Sequence, residues 1–351
     1  MRLCTTVLLT ACCVLSWGRP APANVFTMPA GQASLQFVPV GNPGNVADTR
    51  YSAYVRGAVG YAYNIGKCEI TAGQYCEFLN AVDSGPDPFG PYHDSLGLYA
   101  DAMWSDPKGC KIREIQVGSN TYSYSVAPEY ANRPVNCVTW ANAARFCNWL
   151  ANGQPKGTEG QPNTTEDGSY VLQARVDDGY LMTVTRKPNA RYVIPTEDEW
   201  YKAAYYDPNK NGVPGYWNYP TRSDTQPGRD LTEATSAGNN ANYIGTPYPL
   251  EAGTYYTTSV GQFSLSLSPY GTFDQGGNVY EWTDTAWGSD RRFQAGGAFN
   301  ATGGDIRASS YYGGTPSDGG VGVGFRIVEV PEPATLSLLA MAVLAMRRRR
   351  Q

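Results

Sequence analysis

Apolar residues return at three- and four-residue spacing in three places along the chain, and each stretch opens on a capping residue. Thr71 followed by Gln74 reads as a capping box, after which Tyr75, Phe78, Leu79 and Val82 form a helical stripe. Thr139 opens a second helix with Trp140, Ala143, Ala144, Cys147 and Leu150 on one face, stopped by Gly153 and Pro155. Thr196 and Glu199 make another box behind Pro195, with Trp200, Ala203 and Ala204 on one face, and that helix should end near Asp207-Pro208. Other segments have the two-residue period of strands. Residues 24–59 read as an extended lead, and 152–188 as a surface hairpin with strands at Tyr170–Gln173 and Tyr180–Val184. Late strands are expected at Val279–Thr283 and Phe325–Val328, between glycine-rich loops. Trp140, Trp200 and Trp282 have apolar neighbours and are expected in the core. No compositional break divides residues 61–328, and no fixed-period repeat occurs.

Composition narrows the picture. With 39 Gly, 25 Pro and 26 Tyr in 351 residues, the body should be a loop-rich globule rather than a regular helical bundle or α/β wheel. A single histidine, His93, excludes multi-histidine metal sites and leaves any Ser/His/Asp or Cys/His mechanism dependent on that one residue. Gly320, Gly322 and Gly324 imitate part of a dinucleotide loop, but strand-like Phe325-Arg326-Ile327-Val328 follows where a helix is required.

The two ends read as targeting segments. Arg2, the apolar run Leu3 to Trp17 and the small residues of Ala21-Pro22-Ala23 make residues 1–23 a signal peptide; Leu9-Thr10-Ala11-Cys12 is a competing lipoprotein box. At the other end Pro331-Glu332-Pro333 precedes an apolar stretch, Ala334 to Met346, and the basic run Arg347 to Arg350. As a helix that stretch rises only about 20 Å against a hydrocarbon core of about 30 Å, which suits a transient anchor. Residues 330–351 resemble a PEP-CTERM sorting signal, which implies an exosortase partner and export to the cell envelope or medium of a bacterium with an outer membrane.

Without these ends the body carries 21 basic and 30 acidic residues, so nucleic-acid binding is not expected. Five cysteines remain: Cys68, Cys76, Cys110, Cys137 and Cys147. They allow up to two disulfides of unspecified connectivity.

Five segments, in order, resemble the formylglycine-generating enzyme (sulfatase-modifying factor) family. They are Ile65-Gly66-Lys67-Cys68-Glu69-Ile70-Thr71, Arg133-Pro134-Val135-Asn136-Cys137-Val138-Thr139-Trp140, Pro195-Thr196-Glu197-Asp198-Glu199-Trp200, Gly277-Asn278-Val279-Tyr280-Glu281-Trp282 and Gly324-Phe325-Arg326. The resemblance implies a compact α+β fold related to C-type lectin-like domains over residues 61–328. It also implies a copper-holding cysteine pair between the Gly-Gly motif and the final Gly-Phe-Arg. Residues 296–326 contain no cysteine, so copper and the founding oxidase activity are not expected.

The resemblance further implies calcium sites. One falls on the side chains of Asp274 and Glu281 and the carbonyls of Gly277 and Val279. The other uses Asn242 and the Tyr243 carbonyl, with Glu251 and Ala252 competing for its acidic position. Clustered oxygens suit that hard cation, although Glu281 also fits an ion pair within a strand. Asp305, Arg307, Tyr311 and Tyr312 fall in the loops that form the family's substrate groove and are expected to bind a peptide or glycan. The leading expectation is an exported binding or structural module without the catalytic cysteines. An oxidase of altered mechanism and a lectin-like ligand binder are the alternatives.

Overall fold

A computed structural model describes residues 26–51, 54–86, 95–235, 238–251 and 253–330. The expected signal peptide and the sorting tail from Pro331 onward lie outside the described residues.

The first half builds one sheet and the helices that cover it. Strands β1 (Phe37–Val40), β2 (Tyr63–Gly66), β5 (Tyr192–Val193) and β12 (Val328–Glu329) pair in the order β1-β2-β12-β5, all antiparallel. The expected lead thus supplies an edge strand. Helix α1 (Ala72–Val82) starts at the predicted capping box: Gln74 N–H donates to Thr71 Oγ1 at 3.2 Å and Thr71 N–H donates to Gln74 Oε1 at 3.1 Å. A short turn, α2 (Ala102–Ser105), leads into the hairpin of β3 (Ile112–Gly118) and β4 (Thr121–Val126). Helix α3 (Trp140–Ala151) is capped by Thr139 and ends where Gly153 adopts φ +83, as its sequence predicts. The stripes of α1 and α3 meet in an aromatic cluster, with Tyr75, Phe78, Phe146 and Phe325 in edge-to-face contact at 5.3–5.4 Å.

The hairpin expected over 152–188 does not form. That segment contains a π turn (Pro162–Glu166), one bridge between Asp167 and Val171, and the short helix α4 (Asp178–Leu181). Buried polar residues of α3 take over the loop's hydrogen bonding. Asn148 Nδ2 donates to the carbonyls of Thr165 and Tyr170 and its Oδ1 accepts from Tyr170 N–H, while Arg145 pairs with Glu166 at 2.8 Å. With its carbonyls satisfied by a helix, the loop needs no partner strand.

Helix α5 (Glu197–Tyr205) begins at the second predicted box and runs directly into β6 (Tyr206–Lys210), which pairs with β7 (Val213–Tyr216). The second sheet has the order β10-β9-β8-β11, from β8 (Tyr280–Trp287), β9 (Arg291–Ala295), β10 (Tyr312–Gly314) and β11 (Val323–Gly324). Trp140, Trp200 and Trp282 are buried, as expected.

Candidate functional site

The second sheet carries the surface that the sequence singles out. In its register Tyr312 of the edge strand β10 lies opposite Gln294 of β9, which lies opposite Trp282 of β8. Side chains two residues apart on a strand share a face, so Tyr280 joins Gln294 and Tyr312 on one side. The Tyr280 and Tyr312 rings are stacked, with centroids 5.0 Å apart and an interplanar angle of 27°. Tyr311 turns the other way, its ring 4.6 Å from that of Tyr54 and 5.8 Å from that of Trp287. Gly313, which follows Tyr312, is indispensable, because a Cβ there would lie 2.1 Å from the Trp287 ring.

Two neighbouring tyrosines therefore straddle one sheet edge, 45% and 51% exposed, each backed by further aromatic rings. On the Tyr312 side a depression of about 390 Å³ is walled by Tyr280, Arg291, Gln294, Asn300, Asp318 and the glycines of 313–322. It combines ring faces with hydrogen-bonding groups. Only Tyr312 of that wall is legible from the sequence. Tyr280 could have been found from the alternation across Val279-Tyr280-Glu281, because the residues on either side of it are buried. The remaining wall residues come from loops whose meeting depends on topology.

Arg56 positions the loop before β10. It donates through Nη1 to Glu197 Oε1 at 2.6 Å and through Nη2 to the carbonyls of Ala308 and Ser310 at 2.7 and 2.8 Å. Asp305, Arg307, Tyr311 and Tyr312 all reach one narrow cavity beside this ion pair. Their roles differ. Asp305 Oδ2 accepts from the backbone N–H and hydroxyl of Thr302, both at 2.7 Å, so that oxygen closes a turn. Arg307 is exposed.

The expected calcium residues lie at and just before the start of β8, where Glu281 follows Tyr280 and points to the opposite face of the strand. The strand-like bridge between Asn242 and Gly277 brings the two expected sites into contact. Gly277 has φ +88, and a Cβ there would meet the Asn242 carbonyl oxygen at 2.1 Å. Glu281 is fully buried and both its oxygens are engaged. Arg326 donates to Oε2 from Nε at 2.5 Å and to Oε1 from Nη2 at 2.7 Å, and Trp200 Nε1 adds a bond to Oε2 at 2.8 Å. Asn242 Nδ2 donates to the Tyr256 carbonyl at 2.9 Å, Val279 is buried, and the Tyr243 hydroxyl donates to the Pro227 carbonyl at 2.6 Å. Glu251 pairs with Arg133 at 2.7 Å. Asp274 accepts from Gly261 N–H at 2.6 Å, and burial, aggravated by Glu281 and Glu233, pushes its carboxyl up to about 6. Among the described residues no three His, Cys, Asp or Glu side chains converge as a metal cage. Both Glu281 oxygens are thus engaged by Arg326 and Trp200.

The five described cysteines are free thiols, four buried and Cys68 half-buried. Burial pushes the Cys76 thiol up to about 12 and the Cys110 thiol up to about 11, which keeps both protonated at neutral pH. Burial pushes the Cys68 thiol up as well, so its priority rests on access: as the one of these five that is partly exposed, Cys68 should be alkylated in the native protein before the other four. Peptide mass spectrometry after timed iodoacetamide treatment checks this, and early labelling of Cys110 would contradict it.

Residues 22–330 match the family described as "Sulfatase-modifying factor enzyme 1-like domain", and residues 329–351 match the PEP-CTERM protein-sorting motif. That motif marks proteins for exosortase-mediated sorting and export to the envelope or the exterior of Gram-negative bacteria. No curated protein matches the chain. Among solved structures it is similar to Treponema denticola variable protein 1, at 18% identity over 87% of this chain and 98% of that one, with a TM-score of 0.49. CarF is similar at 19% identity over 85% and 99%, TM-score 0.47, and PvdO from Pseudomonas aeruginosa at 16% over 85% and 95%, TM-score 0.46. With the family match covering nearly the whole body and the predicted α+β architecture in place, the chain belongs to the sulfatase-modifying factor (formylglycine-generating enzyme) family and ends in a PEP-CTERM sorting signal.

Proposed function

We propose that this exported domain is a binding module of the cell envelope or extracellular matrix, and that its ligand seats on the Tyr280–Tyr312 face. The observation that carries this reading is the stacked pair of exposed Tyr312 and half-buried Tyr280 at the rim of a 390 Å³ depression lined by amide, carboxylate and guanidinium groups. Flat rings backed by the sheet present their faces with little conformational entropy to lose, and the polar wall supplies direction. Of the two ligand classes expected, this combination favours a glycan: sugar rings stack on aromatic faces while their hydroxyls exchange hydrogen bonds with Gln294, Asn300 and Asp318. The cysteine-free interval 296–326 removes the family's copper ligands from the same region, which supports binding over oxidation. An array of glycans and peptides probed with the purified protein tests the proposal. Saturable glycan hits are expected; formylglycine formation in a sulfatase-motif peptide, with no hit on the array, would favour the oxidase reading instead.

We also infer that the Asp274–Glu281 segment is held by the Arg326 ion pair rather than by calcium. The support is that both Glu281 oxygens already accept from Arg326 and Trp200.

A further inference from the structure

A second concavity, of about 350 Å³, shares no lining residue with the tyrosine face. It lies between the turn after β2 and the segment before β8, and Leu35, Lys67, Cys68, Glu69, Val260 and Phe273 line it. Glu69 is 2% exposed, and neither of its carboxylate oxygens has a hydrogen-bond partner. The nearby guanidinium of Arg326 does not serve it, because its nitrogens go to Glu281 and to the carbonyls of Gly66 and Phe273. A buried carboxyl group left without partners is costly; burial, with Asp274 and Glu281 nearby, pushes Glu69 well above the ordinary carboxylate range, and a bound cation with N–H donors would offset that cost and favour the charged form.

The surroundings select the kind of donor. Leu35, Val260 and Phe273 present carbon rather than metal-ligating atoms, and no three ligating side chains converge among the described residues. An organic ammonium group fits such a wall better than a divalent ion, because its stem can lie against carbon while its N–H groups reach the carboxylate. Lys67 adds a second constraint. It is half-buried on the same wall, two residues from Glu69, with its ammonium 5.3 Å from the centre of the Phe273 ring. A ligand with only a positive charge would be repelled by Lys67, whereas one that also carries a carboxylate would be held at both ends.

We propose that this concavity binds a small aliphatic zwitterion of the amino-acid type, its ammonium group on Glu69, its carboxylate on Lys67 and its stem against Leu35, Val260 and Phe273. The bond set is complementary at both ends, and nothing covalent is required.

Cys68 lines the same space and reports on its occupancy. The probes are 6-aminohexanoate, hexanoate and hexylamine, titrated against the purified protein by calorimetry and by protection of Cys68 from iodoacetamide. Binding of 6-aminohexanoate is expected in the millimolar range or tighter, roughly tenfold better than either singly charged analogue, with matching protection of Cys68. Glu69→Gln should weaken it about tenfold or more. If that variant does not fold by circular dichroism, Ala33→Trp, which narrows the entrance and leaves Glu69 alone, should abolish both binding and protection. No binding at concentrations on the order of 10 mM would overturn the proposal. So would equal affinity for hexylamine and 6-aminohexanoate, or unchanged binding by a folded Glu69→Gln or Ala33→Trp protein.

Discussion

Arg326→Met should lower the melting temperature by on the order of 10 °C. Arg326 is fully buried, and its guanidinium joins β8 to the first sheet through Glu281, the Gly66 carbonyl at 3.0 Å and the Phe273 carbonyl at 2.9 Å. Methionine replaces the stem but leaves Glu281 with Trp200 as its remaining donor and takes the Arg326 donors away from two backbone carbonyls. Breaking a buried ion pair from one side costs roughly 3–5 kcal/mol, and in a domain of this size each kcal/mol moves the midpoint by roughly 2–4 °C. The double variant Arg326→Met/Glu281→Met removes both charges and should recover much of the loss, since an apolar pair of similar volume is often neutral. Calcium should leave all three melting curves where they are. A single variant melting within a degree or two of wild type would contradict the role assigned to the pair, and so would a wild-type midpoint that rises with calcium and falls with chelator.

Asp274→Asn should stabilise the protein at neutral pH by about 1–2 kcal/mol and flatten part of its pH dependence. The folded-state carboxyl is raised to about 6 from an ordinary 3.8, so the folded chain holds this proton more tightly than the unfolded one. The resulting stabilisation is fully present below about pH 4, is lost as pH rises towards 6, and is absent at pH 7 and above. Asparagine keeps an acceptor for Gly261 N–H, carries no charge, and tolerates the φ of +58 found at this position. Urea melts at pH 4.5, 6 and 7.5 read the difference: the variant should gain most at pH 7.5 and least at pH 4.5. A variant less stable than wild type at pH 7.5 would show that the charge is compensated by something the surrounding groups do not reveal.

The helices were legible because their determinants are local. Thr71 with Gln74, Thr139, Gly153, and Thr196 with Glu199 act within one turn, and each does what its position predicts. The expected hairpin failed for the opposite reason. Tyr170–Gln173 has the period of a strand, but the Tyr170 backbone is bonded by the buried side chain of Asn148 on a helix and the Leu172 N–H by the Glu166 carbonyl, which alternation does not record. The charged interior is equally silent in the sequence: Arg326 and Glu281 are 45 residues apart and Arg56 and Glu197 are 141 apart, so only the folded topology pairs them. At the tyrosine face, Tyr311 and Tyr312 stood out because a glycine-rich stretch offers large rings little core to enter. Gln294, Asn300 and Asp318 are ordinary polar residues until β9, β10 and the last loop bring them together.

The most direct test of the binding role is a calorimetric titration of the strongest array ligand into wild type and Tyr312→Ala. Tyr312 is exposed and contributes its ring to the stacked pair, so its loss should spare the fold while removing a contact surface. The predicted result is an affinity weaker by roughly thirtyfold, equivalent to about 2 kcal/mol, with an unchanged melting temperature. Equal affinities for the two proteins would contradict the assignment of the tyrosine face as the binding site.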